Sequence, residues 1–436
     1  MYEIKENLAD KAITIGVYPL NQSKWQVQEY LDELLLLSKT AGYNVIHQEI
    51  QYRFKPDVAF YIGKGKLEII KQKNLELNIK AVIFDNDLSS SQMRNLEKKL
   101  DCRIIDRCGL ILEIFYKHAR TRESKTQVEL ARLNYLLPRL TGAWTHFSQQ
   151  SGGIGVKGPG ETQLEVDRRL ARKRITELQK DLLQIEISHR EQRKSREKIF
   201  RFALLGYTNS GKSTLMNILT EAGVLAQDNL FATLDTTTRR LQLKKGLDVL
   251  LSDTVGFIRK LPPQLVASFR STLAEIIEAD GLLHVIDSSS SFYQDHLKTV
   301  NEVISDFKIQ HKPTLLIFNK IDRLKETGLL SRLKKEFPEA YFISASKKMG
   351  LEELKQGLLH IFENEFIMIK IILTHRDSGH FAKFLSVVEI IKETDTDEQR
   401  ILDLKVHKKL VNQLAMEFPV QRLSTRNLSE LPTGTE

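Results

Sequence analysis

Gly206-Tyr207-Thr208-Asn209-Ser210-Gly211-Lys212-Ser213-Thr214 stands between an apolar run, Phe202–Leu205, and a helical pattern, Leu215–Leu219. The order is strand, loop, helix, and the loop has the spacing G-x-x-x-x-G-K-S that suits a polyphosphate cradle. Its glycines let backbone N–H groups converge on phosphate oxygens at a helix N-terminus, where the helix dipole also favours anions. Lys212 is expected to reach the β- and γ-phosphates, and the Ser213 hydroxyl to ligate Mg²⁺. A chance glycine-rich turn is the bland alternative, and the downstream sequence removes it.

A second strand, Val249–Leu251, leads to Asp253-Thr254-Val255-Gly256. Asp253 at a strand end can hold the magnesium shell through water, and Gly256 lets its N–H approach the γ-phosphate. A third strand, Pro313–Phe318, leads into Asn319-Lys320-Ile321-Asp322. A carboxylate here accepts two hydrogen bonds from guanine N1–H and N2–H₂. Adenine has no such donor pair and would leave the carboxylate unpaired. Asn319 is expected to tether neighbouring loops and reach guanine N7, and the Lys320 stem to pack on the nucleoside plane. Ser344-Ala345-Ser346, ending the strand Tyr341-Phe342-Ile343, offers a backbone N–H to guanine O6. Four pieces in this order predict a guanine nucleotide site and exclude an ATPase.

Between the first two pieces a threonine is needed whose hydroxyl binds Mg²⁺ and whose N–H touches the γ-phosphate. Phe231-Ala232-Thr233-Leu234-Asp235-Thr236-Thr237-Thr238 supplies Thr233, Thr236, Thr237 and Thr238, and spacing does not choose among them. The residue after Gly256 is Phe257, where many GTPases of the Ras type keep a glutamine that orients the attacking water. Phenylalanine cannot do so, which predicts slow hydrolysis by the protein alone. A partner, a cation, or Arg259 or Lys260 must supply the orientation. Asn209 has two readings: its side chain helps coordinate a K⁺ beside the phosphates, or it only orders the loop.

Around this centre, 436 residues are too many for one core, because single cores stop growing near ~250–300 residues. Residues 1–115 read as an α/β domain with a mainly parallel sheet. Strands are expected at Ala12–Tyr18, Val58–Ile62, Ala81–Phe84 and Arg103–Ile105, and helices at Gln26–Thr40, Lys66–Asn74 and Ser91–Leu100. Residues 116–198 change character. Leu130, Leu133, Leu137 and Leu140 form one apolar seam, and Ala171, Ile175, Leu178, Leu182 and Ile185 another. Two such helices predict an antiparallel hairpin, with Pro138 near the end of the first. The loop between them, 141–160, holds six of the 22 glycines and no acidic residue. Its Trp144 and Phe147 either plug the end of the hairpin or face a partner. Residues 199–366 form the nucleotide domain, and 367–436 a small α/β domain with strands at Phe366–Thr374 and Arg400–Val406.

Hydrophobic content of 41% and charged content of 28% are those of an ordinary soluble protein. The charged start lacks a signal-peptide core, and no window approaches the ~18 apolar residues of a membrane span. Cys102 and Cys108 alone build neither a disulfide framework nor a zinc site. A cytoplasmic monomer is expected. The net charge is +9, and between Tyr116 and Phe200 there are 18 Lys/Arg against 10 Asp/Glu. Nearly all of the excess therefore sits on the hairpin segment. That is a solvated helical face or a surface for nucleic acid phosphates.

Several longer motifs resemble the HflX family of bacterial GTPases. They are Ser151-Gly152-Gly153-Ile154-Gly155-Val156-Lys157-Gly158-Pro159-Gly160-Glu161-Thr162-Gln163-Leu164-Glu165, then Gln127-Val128-Glu129-Leu130-Ala131-Arg132-Leu133 with Leu137-Pro138-Arg139-Leu140. Ile62-Gly63-Lys64-Gly65-Lys66 and Ile105-Asp106-Arg107 are similar to the family's N-terminal domain; Cys108 departs from a common threonine. The likeness runs from about Pro56 through the nucleotide domain. It implies a GTPase that binds the large (50S) ribosomal subunit and splits stalled 70S ribosomes, notably after heat stress. The alternatives are a GTP-gated assembly factor that docks on rRNA without splitting, and a small-RNA or regulatory-protein interactor. The resemblance implies rRNA contacts from the loop, here Trp144, Phe147, Gly152, Gly153, Gly155, Lys157, Gly158 and Gly160. It assigns the switch threonine to Thr233 within F-A-T-L-D, making Lys212, Thr233 and Gly256 the residues at the reacting phosphate. It also allows a location partly on ribosomes or at the membrane. An ATP-dependent activity is attributed to N-terminal domains of the family. Gly63-Lys64-Gly65-Lys66 lacks phosphate-loop spacing and reads as a basic turn.

Overall fold

The computed structural model describes residues 10–140, 163–194, 199–221, 231, 235–244, 247–260, 274–324, 328–374, 377–385, 388–396 and 399–422. Three sheets organise the chain. The first is built from β1 (Asp10–Tyr18), α1 (Lys24–Thr40), β2 (Tyr43–Tyr52), α2 (Lys64–Leu77), β3 (Ala81–Phe84), α3 (Ser90–Leu100) and β4 (Arg103–Ile105). Its order is β2-β1-β3-β4 and every pairing is parallel. The mainly parallel N-terminal sheet was therefore legible, with one correction. Val58–Ile62 is a turn held by an isolated bridge between Asp57 and Tyr61, and Val58 is 89% exposed. The missing strand is β2, an edge strand whose polar and apolar residues share a half-exposed surface. Its apolar residues form no continuous run, so a search for buried runs passes over it.

Helix ends follow the local chemistry. The α1 cap is Ser23, whose hydroxyl accepts from Gln26 N, and α3 begins in a capping box of Ser89 and Gln92. Asp106 caps α4 (Arg107–His118), taking the Gly109 N–H at 2.8 Å. Thr121 caps α5 (Arg122–Leu136), which ends in a short 3₁₀ turn, Leu137–Arg139, containing Pro138.

The second long helix of the pair is α6 (Gln163–Lys194). Leu130, Leu133 and Leu178 form a buried seam with Ile175 and Leu182 beside it. Arg168 reaches the Leu140 carbonyl, Arg174 pairs with Glu129 and His189 lies near Glu123, so the two helices run antiparallel. The loop residues Trp144, Phe147, Gly152, Gly153, Gly155, Lys157, Gly158 and Gly160 lie outside the described residues.

The nucleotide domain comprises β5 (Arg201–Gly206), α7 (Lys212–Leu219), β6 (Thr237–Lys244), β7 (Leu247–Asp253), α8 (Ala274–Glu278), β8 (Gly281–Asp287), α9 (Tyr293–Asp306), β9 (Thr314–Asn319), α10 (Leu329–Glu336), β10 (Tyr341–Phe342) and α11 (Leu351–Asn364). Its six strands run β10-β9-β8-β5-β7-β6, parallel except for β6 on β7. Strands β5 and β8 and the second half of β9 are buried on both faces, as parallel sheets covered by helices must be. The C-terminal part contains β11 (Phe366–Thr374), α12 (Ser378–Phe381), β12 (Val388–Asp395), β13 (Gln399–His407), α13 (Lys408–Glu417) and β14 (Val420–Arg422). These strands form an antiparallel sheet ordered β12-β13-β11-β14. The two expected strands are β11 and β13; β12, exposed and charged, carries no apolar run to announce it.

The first core does not stop at the N-terminal sheet. Tyr207, Phe231, Val255 and Ile258 of the nucleotide domain are buried in it.

Candidate active site

The phosphate loop joins β5 to α7 as the sequence requires. Gly211 has φ +93°, and a Cβ there would lie 2.2 Å from Asn319 Nδ2, so only glycine fits. Lys212 is buried, and its Nζ donates to the carbonyls of Gly206 at 3.1 Å and Tyr207 at 2.8 Å. Burial lowers its pKa to about 8, against the opposing pull of Asp253. Ser213 Oγ donates to Asp253 Oδ2 at 2.6 Å, although 40 residues separate them. A hydroxyl and a carboxylate brought together at the ends of a helix and a strand are the hard oxygen donors that suit Mg²⁺.

Asp253-Thr254-Val255-Gly256 passes directly over the loop. Thr254 Oγ1 donates to the Leu204 carbonyl at 2.6 Å, Phe257 N to Gly206 O at 3.0 Å and Thr208 N to Phe257 O at 2.7 Å. A Cβ on Gly256 would meet Thr208 Cα at 2.8 Å, which explains glycine at this crossing. The Phe257 side chain is buried among Ala203, Leu205, Ile276 and Leu282. It can order no water.

At the base-recognition end, Asn319 joins two loops as expected. Its Nδ2 donates to Ser210 O at 2.9 Å, and its Oδ1 accepts from Ala345 N at 3.0 Å. Lys320 Nζ donates to Asn209 O at 2.6 Å and pairs with Asp287 at 2.7 Å. Ser344 Oγ donates to Asp322 Oδ1 at 2.5 Å and lowers that carboxyl's pKa. Ile321 N donates to Ile343 O, and Ser346 Oγ lies 3.2 Å from Ser344 Oγ. The loop at 206–214, the strand end at 253–256, and the residues around 319–322 and 344–346 therefore share one end of the sheet.

Of the switch segment, Ala232, Thr233 and Leu234 lie outside the described residues, whereas Phe231 and Asp235 are placed. The Phe231 ring meets Phe115 edge-on with centroids 4.6 Å apart. Asp235 accepts from the N–H groups of Arg120 and Thr121 at 3.3 and 3.4 Å, and from Thr121 Oγ1 at 2.6 Å. Thr237 and Thr238 belong to β6, opposite Asp253 and Ser252.

Sequence reasoning missed the residues that join the N-terminal sheet to this site. Arg107 is fully buried, with Nη1 2.7 Å from Asp85 and Nη2 2.8 Å from Glu33, and it also donates to the Arg259 carbonyl. The Arg259 guanidinium pairs with Asp85 at 3.1 Å and lies 3.5 Å from the centre of the Tyr30 ring. Tyr207 Oη donates to Glu33 at 2.5 Å and accepts from Arg259 N at 2.8 Å. Burial pushes the Asp85 carboxyl up, but Arg107, Arg259 and Lys260 outweigh it and hold it below its usual range. The Asp106-Arg107 pair was visible as a motif; its partners, 22 and 74 residues upstream, were not.

A phosphate loop, two metal-side oxygens and an N-K-x-D base loop at one end of this sheet define a P-loop GTPase. A family profile described as "50S ribosome-binding GTPase" matches residues 201–320, and two described as "GTP-binding GTPase N-terminal" and "GTP-binding GTPase Middle Region" match 28–116 and 118–196. The chain is 45% identical over 368 residues to the GTPase HflX of Flavobacterium psychrophilum, covering 80% of this chain and 89% of that one. It is 40% identical over 406 residues to the GTPase HflX of Escherichia coli, covering 92% and 94%. A GTP-binding protein of Sulfolobus solfataricus, solved in complex with GDP, is 29% identical, with 80% of this chain and 98% of that one covered and a TM-score of 0.42. The chain belongs to the HflX family of GTPases. It binds and hydrolyses GTP, and P-loop GTPases of this kind use Mg²⁺. No helix among the described residues is long and apolar enough to cross a membrane.

Proposed function

We propose that this GTPase works on the ribosome: it docks on the 50S subunit through the basic helical hairpin and its glycine-rich loop, and it separates stalled 70S particles. One observation carries this reading most directly. Switch residue Asp235 hydrogen-bonds the first residues of the hairpin, at Thr121, while Phe231 packs on Phe115 just before it. A change at the γ-phosphate thus has a short mechanical path to the surface that carries the charge excess. Positive charge there favours phosphate-rich RNA, and the profile name that matches the nucleotide domain points the same way.

At the chemical site, Lys212 and the N–H groups of residues 206–214 hold the β- and γ-phosphates. Gly256 lies where its N–H can meet the γ-phosphate and Thr233 is assigned to the same phosphate by its F-A-T-L-D motif, Asp322 reads guanine, and Asn319, Lys320 and residues 344–346 frame the base. Ser213, Thr233 and Asp253 are the residues that would hold Mg²⁺, and the ion would supply positive charge to the phosphates. Phe257 leaves the attacking water without its usual guide, so hydrolysis is slow alone and accelerates on the ribosome. Asn209 is exposed at the loop's apex with φ +59°, where its side chain can help hold K⁺. The protein acts as a cytoplasmic monomer that cycles on and off ribosomes.

Light scattering of purified 70S ribosomes tests this. Addition of the protein with GTP, or with a non-hydrolysable analogue, is expected to lower the signal. No dissociation under any nucleotide condition would leave a docking factor without splitting activity.

A further inference from the structure

Phe257 is buried among apolar side chains, so hydrolysis needs another guide for its water beside Gly256 and Lys212. The point that a Cβ on Gly256 would take lies 2.9 Å from Thr208 Cγ2 and 3.0 Å from Lys212 Nζ. The Thr208 side chain therefore stands beside the two groups assigned to the γ-phosphate. We propose that the Thr208 hydroxyl orients the attacking water in place of the missing glutamine. This rests on the site reading above, in which Lys212 and the Gly256 N–H meet the γ-phosphate.

Elimination gives the first reason. Lys212 Nζ holds the Gly206 and Tyr207 carbonyls, Ser213 Oγ donates to Asp253, and Thr254 Oγ1 donates to the Leu204 carbonyl. Arg259 and Lys260 both turn to the Asp85 carboxylate, at 3.1 and 3.7 Å. Ser210 Oγ has no hydrogen-bond partner, but it lies on the sheet side of the loop. A Cβ on Gly206 would stand 3.1 Å from it and 2.2 Å from the Val285 carbonyl of β8. Thr208 is only 7% exposed, and its Oγ1 also has no partner. A buried hydroxyl left unpaired is costly, which favours a ligand that completes it.

The local geometry gives the second reason. The Thr208 backbone is fixed, because its N–H donates to Phe257 O at 2.7 Å and Tyr207 bridges Phe257 in parallel. Its methyl now faces Gly256, and Oγ1 sits on the same carbon. No hydrogen bond holds Oγ1, so a turn about the Cα–Cβ bond brings the oxygen to the methyl's place, toward Gly256 and Lys212. A hydroxyl can then do what a glutamine amide does, accepting one hydrogen bond and donating another. Phe257 packs away from this space, against Ala203 and Leu205.

In the step itself, Thr208 Oγ1 accepts one O–H of the water and donates its own O–H to a γ-phosphate oxygen. The water oxygen bonds to the γ-phosphorus while the bond to the β–γ bridging oxygen breaks, and that oxygen leaves on GDP with the electron pair. One water proton stays on the attacking oxygen and the other passes to a phosphate oxygen, so both leave with inorganic phosphate. Thr208 ends with the proton it began with, and its effect is one of position.

Single-turnover hydrolysis of bound GTP tests this in the full chain, in Thr208→Val, which keeps the shape without the oxygen, and in Thr208→Ser. Affinities for GDP and for a non-hydrolysable GTP analogue are measured beside it. Thr208→Val should slow hydrolysis about tenfold or more, keep both affinities within about twofold, and lose capture of aluminium fluoride with GDP. Thr208→Ser should recover the rate to within about threefold of the parent chain. A valine variant as fast as the parent, or a serine variant as slow as the valine, overturns the assignment. So does a loss of affinity equal to the loss of rate, which would make Thr208 a phosphate-binding group only. Failure of the underlying site reading looks different: Lys212→Ala would still bind GTP tightly.

Discussion

Lys212 offers a prediction that can be worked from the structure to a number. Its ammonium is buried, held by two loop carbonyls, and its pKa is lowered to about 8. A bound triphosphate supplies negative charge beside it and restores its ordinary preference for the charged form. The sign follows: nucleotide binding takes up a proton at high pH, affinity is full well below pH 8, and it falls as pH rises through about 8 toward the lysine's usual range. With that value, roughly a quarter of the side chains are neutral at pH 7.5 and about ten in eleven at pH 9, so affinity for Mg²⁺-GTP drops about eightfold between them, or about 1.3 kcal/mol. Titration of a fluorescent GTP analogue across this range measures the drop. Guanine's own ionisation is read from the ultraviolet spectrum of the free nucleotide and divided out. Calorimetry in buffers of different ionisation heat gives the proton count. A corrected affinity that stays flat from pH 7.5 to 9, with no proton taken up, would refute the claim that this lysine meets the phosphates from a desolvated pocket. Lys212→Ala should abolish tight binding at every pH.

Other perturbations probe separate parts of the account. Asp322→Asn should lower GTP affinity by about three orders of magnitude and turn preference toward xanthosine triphosphate in competition assays; an unchanged guanine preference would remove the base assignment. Arg107→Met leaves Asp85 and Glu33 short of a buried partner and should cost about 3 kcal/mol, the low end for such a break because Arg259 still reaches Asp85. Hydrogen exchange at the β3 amides should then quicken about a hundredfold, and protection like that of the unmodified chain would mean that the pair carries no stability. Because the native Asp85 carboxyl is held below its usual range, its contribution is present above the unfolded carboxylate range and lost as pH falls through the depressed value. If Asn209 helps hold a monovalent cation, GTP turnover in KCl exceeds that in NaCl, and equal rates leave it only a loop-ordering role.

What was legible in the chain follows from how tightly chemistry restricts residue type. A phosphate loop admits glycine at position 211 because Asn319 stands where a side chain would be, and the base loop as proposed needs a carboxylate, Asp322, for guanine's two donors. Such demands leave a pattern within a few residues. The seams of α5 and α6 were readable for a similar reason, since helical spacing repeats over several turns. Strand β2 was not, because an edge strand with one half-exposed face lacks a buried run, and Val58–Ile62, which has the run, is a turn. The contacts of Glu33, Asp85 and Arg107 with Tyr207 and Arg259 were also invisible. They join residues separated by up to 174 positions, and no local pattern encodes a partner that distant. Tyr207 itself was read only as a member of the phosphate loop, whereas its hydroxyl ties that loop to the N-terminal sheet.

GTP turnover by the full-length protein, measured with and without purified 50S subunits at physiological salt, probes the account at its centre. A slow basal rate that rises at least tenfold with subunits, and falls back when residues 152–160 are deleted, is the predicted result. A rate indifferent to the subunit would contradict it.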